Sequence, residues 1–189
     1  YQHTTLGIAA LDAGLHVRPE SLRDALQAAI DSSAGQFETI VLGYGLCSGA
    51  VEGLRANGCT LVIPRVDDCI ALFLGSRDEY RRQVRAEPGT YYLTGGWIKA
   101  RISPFDEFDH MVERWGKARA DRLMHVMLKN YTRLALIRTG DPKDLGSEEI
   151  YTRETAQRFG LRPEFLDGAT GLLEKLGRGP WDEAFVVVP

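Results

Sequence analysis

The chain is poor in the residues that stabilise small secreted folds. It has three cysteines in 189 residues, and an odd count in a chain of this length cannot form a disulfide framework, so a reducing, cytoplasmic setting is expected. Basic charge is not in excess either: 23 Lys and Arg stand against 26 Asp and Glu, for a net charge of −3. That balance offers no polycationic surface and argues against a nucleic-acid partner. The densest basic run, Arg77 to Arg85, is interrupted by acidic residues and reads as a solvated helix face. No apolar run approaches the ~20 residues of a membrane-spanning helix, so no membrane partner is expected. The opening Tyr1-Gln2-His3-Thr4-Thr5 has neither signal nor transit character. It also lacks a methionine, which suggests a chain that has lost its beginning. Low-complexity tracts and internal repeats are missing too.

What is present suits one soluble domain, residues 1–189, with 44% hydrophobic and 26% charged content. Strand-like and helix-like stretches alternate. Leu6 to Leu11 is a short strand-like run, and Pro19 opens a helix whose apolar positions are Leu22, Leu26, Ala29 and Ile30. Phe37 to Leu42 is a buried strand broken by Gly43-Tyr44-Gly45, with a helix expected over Ser48 to Ala56. Cys59 to Ile63 is the next strand, followed by a helix start near Asp67 or Asp68 and a charged helix from Arg77 to Ala86. Tyr91 to Thr94 is a strand closed by Gly95-Gly96-Trp97. Helices are expected over Phe105 to Trp115, Lys117 to Asn130, Ser147 to Phe159 and Gly171 to Leu176, and strands over Leu134 to Ile137, Arg162 to Leu166 and Ala184 to Val188. Pro142 to Gly146 reads as a surface loop or a boundary between lobes. The alternation predicts an α/β fold, Rossmann-like and doubly wound around a mainly parallel sheet in three layers.

Three strand-ends carry soft or borderline ligands. Gly43-Tyr44-Gly45-Leu46-Cys47 follows one, Arg65-Val66-Asp67-Asp68-Cys69 a second, and Asp12-Ala13-Gly14-Leu15-His16 a third. Parallel strands open their carboxyl ends on one edge, where α/β proteins bind ligands. If these strands are neighbours, His16, Cys47 and Cys69 share one mouth. Two thiolates and an imidazole suit zinc or another transition metal. Asp67, Asp68 or Asp12 would complete the set or orient His16. The spacing matches no compact zinc motif such as a paired C-x-x-C. Cys59 opens a buried strand without polar company and reads as core.

Other chemistries fit the same residues. Cys47 near a helix start can act as a nucleophile, with backbone N–H groups as oxyanion hole and His16, His110 or His125 as base. Gly43, Gly45 and Gly49 approach a dinucleotide fingerprint, with Tyr44 and Ser48 in the turn, but the spacing is G-x-G-x-x-x-G. A tight strand-to-helix turn explains the glycines as well. Tyr91, Tyr92 and Trp97, set among glycines, form either a pocket wall beside the cysteines or a core strand with capped ends.

Taken together, these segments resemble an uncharacterised family, domain of unknown function 1638. The matching stretches are Gly14-Leu15-His16 with Pro19, Leu42 to Cys47, Leu61 to Arg65 with Asp68-Cys69, Leu74-Gly75-Ser76, and Gly89 to Thr94 with Gly96-Trp97. Asn130-Tyr131 and Trp181-Asp182-Glu183 match more weakly. The resemblance implies a prokaryotic cytoplasmic protein, in some cases associated with corrinoid-dependent methyltransferase systems, so a corrinoid component or a small molecule is the expected partner. It also implies a further N-terminal strand, often bearing a cysteine, ahead of this segment. Relatives often place a histidine where this chain has Asp67. A non-catalytic partner or chaperone role is the remaining class.

Overall fold

Leu22, Leu26 and Ile30 recur at helical spacing behind Pro19, and they become the buried face of the first helix, α1 (Pro19–Ser32). The proline gives up no backbone bond at the first turn, and Glu20 complements the positive end of the helix. The computed structural model describes residues 7–12, 15, 18–139 and 142–189, with the side chains of residues 48, 142 and 144 outside that description. Within these residues the order continues β1 (Thr39–Val41), β2 (Thr60–Pro64), α2 (Ile70–Phe73), α3 (Arg77–Ala86), β3 (Thr90–Thr94), α4 (Gly95–Ala100), α5 (Phe108–Trp115) and α6 (Lys117–Leu128). It closes with β4 (Arg133–Arg138), α7 (Pro142–Phe159), β5 (Arg162–Asp167), α8 (Gly171–Arg178) and β6 (Phe185–Val188). No helix among them is long and apolar enough to cross a membrane.

The strands form two three-stranded sheets, one ordered β1-β2-β6 and the other β3-β4-β5. This is a mixed α/β architecture, and it differs from the single sheet that the alternation suggested. The reason lies at β2. The antiparallel return of β6 pairs Val187 with Val62 and occupies the side of β2 that β1 leaves open. The second sheet is wholly parallel, with Leu93 opposite Leu136 and Leu136 opposite Phe165.

Both sheets are covered on both faces, and the two-residue period of each strand divides the core. From β4, Leu134 and Leu136 pack with Phe105, Phe108, Met124 and Leu128 of the α5–α6 side. Ala135 and Ile137 point the other way, toward Ile70 and Leu74 at α2. In β2, Leu61 and Ile63 meet α1, while Val62 meets Leu176 of α8. Strands buried on both faces read as continuous apolar runs, which is why these were plain in the sequence.

Four local expectations are corrected. Residues 7–12 form no strand, and Ile8 is 88% exposed, so that apolar run has no sheet to join. Residues 50–53 form turns and 54–56 irregular chain rather than a helix, because Gly49 and Gly53 take φ of +86° and +79°, a conformation that ends right-handed helix. Gly95-Gly96-Trp97 do not merely close β3: Thr94 caps them into α4 by accepting a hydrogen bond from the Trp97 N–H. The stretch 142–146 lies in the first turns of α7, with Pro142 at its start.

Candidate functional site

The carboxyl ends of the parallel pair β1 and β2 run into two loops, Gly43 to Cys47 and Arg65 to Cys69. Backbone bonds clamp these loops together: Leu46 N–H donates to the Val66 carbonyl at 2.8 Å, and Cys47 N–H to the Asp67 carbonyl at 3.4 Å. The approach is closer still at Gly45, where a Cβ would stand 2.8 Å from the Asp68 carbonyl carbon. Only glycine allows the loops to meet so tightly. Cys47 itself takes φ of +43°, a conformation that L-residues avoid, and it opens a short 3-10 turn over Cys47–Gly49. Cys69 sits just before α2, whose first N–H, from Ile70, donates to the Asp68 carboxylate at 2.9 Å.

The clamp brings Cys47 and Cys69 together as half-buried free thiols. Their acidities split. Hydrogen bonding from the Cys69 thiol, helped by backbone N–H groups, holds Cys47 down to about 7, against the opposing effects of burial and Asp68. Cys69 moves up because it keeps the shared proton, because it is buried, and because Asp68 lies nearby. The result is an unequal pair in which Cys47 is the readier thiolate and is partly ionised near neutral pH. Tyr44 faces both sulfurs, and burial and then the two thiols raise its phenol.

Around the pair, the two aspartates part company. Asp67 turns its carboxylate to Arg77, at 2.8 Å, and to Arg81, at 3.5 Å, and these guanidinium contacts hold it below the usual carboxylate range. Asp68 stays on the cysteine side. Tyr80 of α3, which nothing in the sequence singled out, packs with Cys69 around Val66 and Leu72. Burial, Asp68 and Tyr92 push its phenol up to about 12.

The aromatic segment divides by strand period. Tyr92 lies 6.4 Å from Tyr80, centroid to centroid, and reaches toward the cysteine side through it. Tyr91 points to the opposite face and stacks edge-on with Phe105 and Tyr131. Trp97 packs edge-on against Phe73, at the far end of α2 from Cys69. Gly43 has nothing close to it, whereas Gly45 makes the close approach described above. His16 lies outside the described residues, as does the side chain of Ser48. Cys59 is core, 5% exposed, with its thiol donating to the Ala56 carbonyl. Among the described residues no group of three His, Cys, Asp or Glu is arranged to hold a metal ion. Two surface grooves, of about 600 Å³ at Phe108, His125 and Arg158 and about 380 Å³ at Arg23 and Asn57, do not include either site cysteine.

Fold and site thus define a mixed α/β protein with a paired-cysteine centre at the carboxyl edge of its first sheet. The chain belongs to the family described as Protein of unknown function (DUF1638), which it matches over residues 10–176. No match is found among curated proteins or solved structures.

Proposed function

We propose that the protein binds a soft transition metal, zinc or a zinc-like ion, through Cys47 and Cys69. The observation that carries this reading is the clamp between the two loops, which holds both thiols at one sheet edge. Thiolate ligands select such metals, and the lowered pKa of Cys47 eases its deprotonation near neutral pH. Asp68 supports the pair, and His16 is the third ligand in this reading. Asp67 keeps the loop in place through Arg77 and Arg81. Tyr44, Tyr80 and Tyr92 line the approach. The accessory role in corrinoid-dependent methyl transfer that the resemblance implies belongs to the same proposal, as does a Rossmann-like doubly wound arrangement. Helices on both faces of each sheet support the latter.

The test is titration of the reduced, metal-free protein with Co(II) and Zn(II). A sulfur-to-cobalt charge-transfer band that saturates at one ion per chain supports the proposal. Cys47→Ser or Cys69→Ser should weaken binding at least about a hundredfold, since even outer-sphere losses cost up to that much. Binding that survives both substitutions overturns it.

The lowered acidity of Cys47 favours a second reading, a thiol enzyme with Cys47 as nucleophile and Cys69 as its hydrogen-bond donor. It requires selective reaction of Cys47 with an electrophilic small molecule in metal-free protein. Equal, slow labelling of Cys47, Cys59 and Cys69 would rule it out.

A further inference from the structure

The second sheet has a carboxyl edge of its own, and one residue there has no structural partner equal to its burial. Glu148, on α7, is 2% exposed. Among the described residues, neither of its carboxylate oxygens has a hydrogen-bond partner. Its carboxylate presses against Gly95, the first residue after β3, so closely that any Cβ there would overlap it. Gly95 is buried, and the next residue, Gly96, is exposed and also without a side chain. The carboxylate therefore lies beneath a glycine pair at the end of a parallel strand, the place where α/β sheets receive ligands.

A buried carboxylate with both oxygens unpaired is costly and persists only with compensation. The positive end of α4, which Gly95 opens, favours the charge but makes no hydrogen bond to it, and the cations at this edge supply none either. Lys99 brings its ammonium to 4.0 Å from one oxygen, beyond hydrogen-bond length, and its side chain is 61% exposed. Arg138, at the end of β4, is engaged with Glu149 and Asp167. A carboxylate of this kind calls for a group that carries positive charge and several N–H donors at once.

We propose that Glu148, at the carboxyl edge of the β3-β4-β5 sheet, is the anchor of a second ligand site that takes the protonated amine of a small organic molecule. Exposed Gly96, with no side chain to block the way, leaves the approach open to the ammonium, and Glu148 accepts its hydrogen bonds. This site is independent of the cysteine centre and stands whether or not that centre binds metal.

The probe is ethylammonium chloride, read by thermal melting and by calorimetric titration of the full chain. Sodium chloride controls for ionic strength, and tetramethylammonium chloride supplies the charge without N–H donors. Ethylammonium should raise the melting temperature above both controls. Glu148→Gln keeps the shape, removes the unpaired charge and should melt at or above the wild type without ligand, but it should bind ethylammonium about tenfold more weakly or not at all. Equal shifts from ethylammonium and tetramethylammonium would overturn the proposal. So would an unchanged ethylammonium affinity in Glu148→Gln, or the absence of any binding to the wild type. A Glu148→Gln variant that melts well below the wild type would assign the carboxylate to structure instead.

Discussion

At the scale of single residues, the account turns on the unequal pair Cys47 and Cys69. Because the Cys69 thiol holds Cys47 down to about 7, alkylation of metal-free protein should label Cys47 first. The sign follows from thiolate chemistry: the rate falls as pH drops below that value and levels off above it. Replacing Cys69 with Ala removes the donor to the Cys47 sulfur, so the midpoint of the rate profile should move up toward the free value of about 8.5. A midpoint that stays near 7 in Cys69→Ala would show that another group lowers it. The two aspartates give a companion test. Asp68→Asn should weaken metal binding about tenfold, because Asp68 sits on the cysteine side, whereas Asp67→Asn should leave it nearly unchanged, because that carboxylate serves Arg77 and Arg81. Titration of each variant with Co(II) separates the two outcomes. The cysteines were legible in sequence because each follows a plain apolar strand within a few residues. Tyr80 was not, since it reaches the site from a charged helix whose apolar positions carry no distinguishing pattern.

At the scale of elements, the clamp between the Gly43–Cys47 and Arg65–Cys69 loops does what a continuous helix was expected to do. Positive φ at Gly49 and Gly53 stops helix formation, so Cys47 is positioned by its neighbour loop rather than by a helix terminus. Gly45→Ala should therefore act at a distance from its own chemistry. A Cβ at 2.8 Å from the Asp68 backbone must part the loops. The expected outcome is a Cys47 alkylation midpoint shifted upward and metal affinity reduced, with most of the fold's stability retained. The alternation of Tyr91 and Tyr92 teaches the same lesson. Sequence left both either as a pocket wall beside the cysteines or as core, but adjacent residues on a strand face opposite ways, and only Tyr92 turns toward Tyr80. Which of two neighbours faces a site depends on register, and register was set by the pairing of Tyr92 with Ala135.

For the molecule as a whole, nearly every long periodic element was readable, because buried strands and amphipathic helices carry their pattern locally. The division into two sheets was not, since it depends on β6 returning antiparallel against β2 over more than 100 residues of intervening chain. The two sheets meet through α2. Its first turn follows Cys69, and the carbonyl of its last residue, Phe73, accepts the Ala169 N–H at 3.0 Å, at the edge of the second sheet. The wholly buried β4 is the keystone of that second sheet. Leu136→Ala removes a side chain with 0% exposure, and it should cost about 2–5 kcal/mol of unfolding free energy in a denaturant titration. A loss far smaller than that would contradict the packing described for the α5–α6 side.

The central claim is that Cys47 and Cys69 together hold a metal ion. Elemental analysis of freshly purified protein, with the Cys47→Ser, Cys69→Ser double variant run in parallel, tests it most directly. The account predicts about one equivalent of zinc or a related transition metal in the wild type and a near-complete loss in the double variant. Less than about a tenth of an equivalent in the wild type, or a metal content indifferent to the two substitutions, would contradict it.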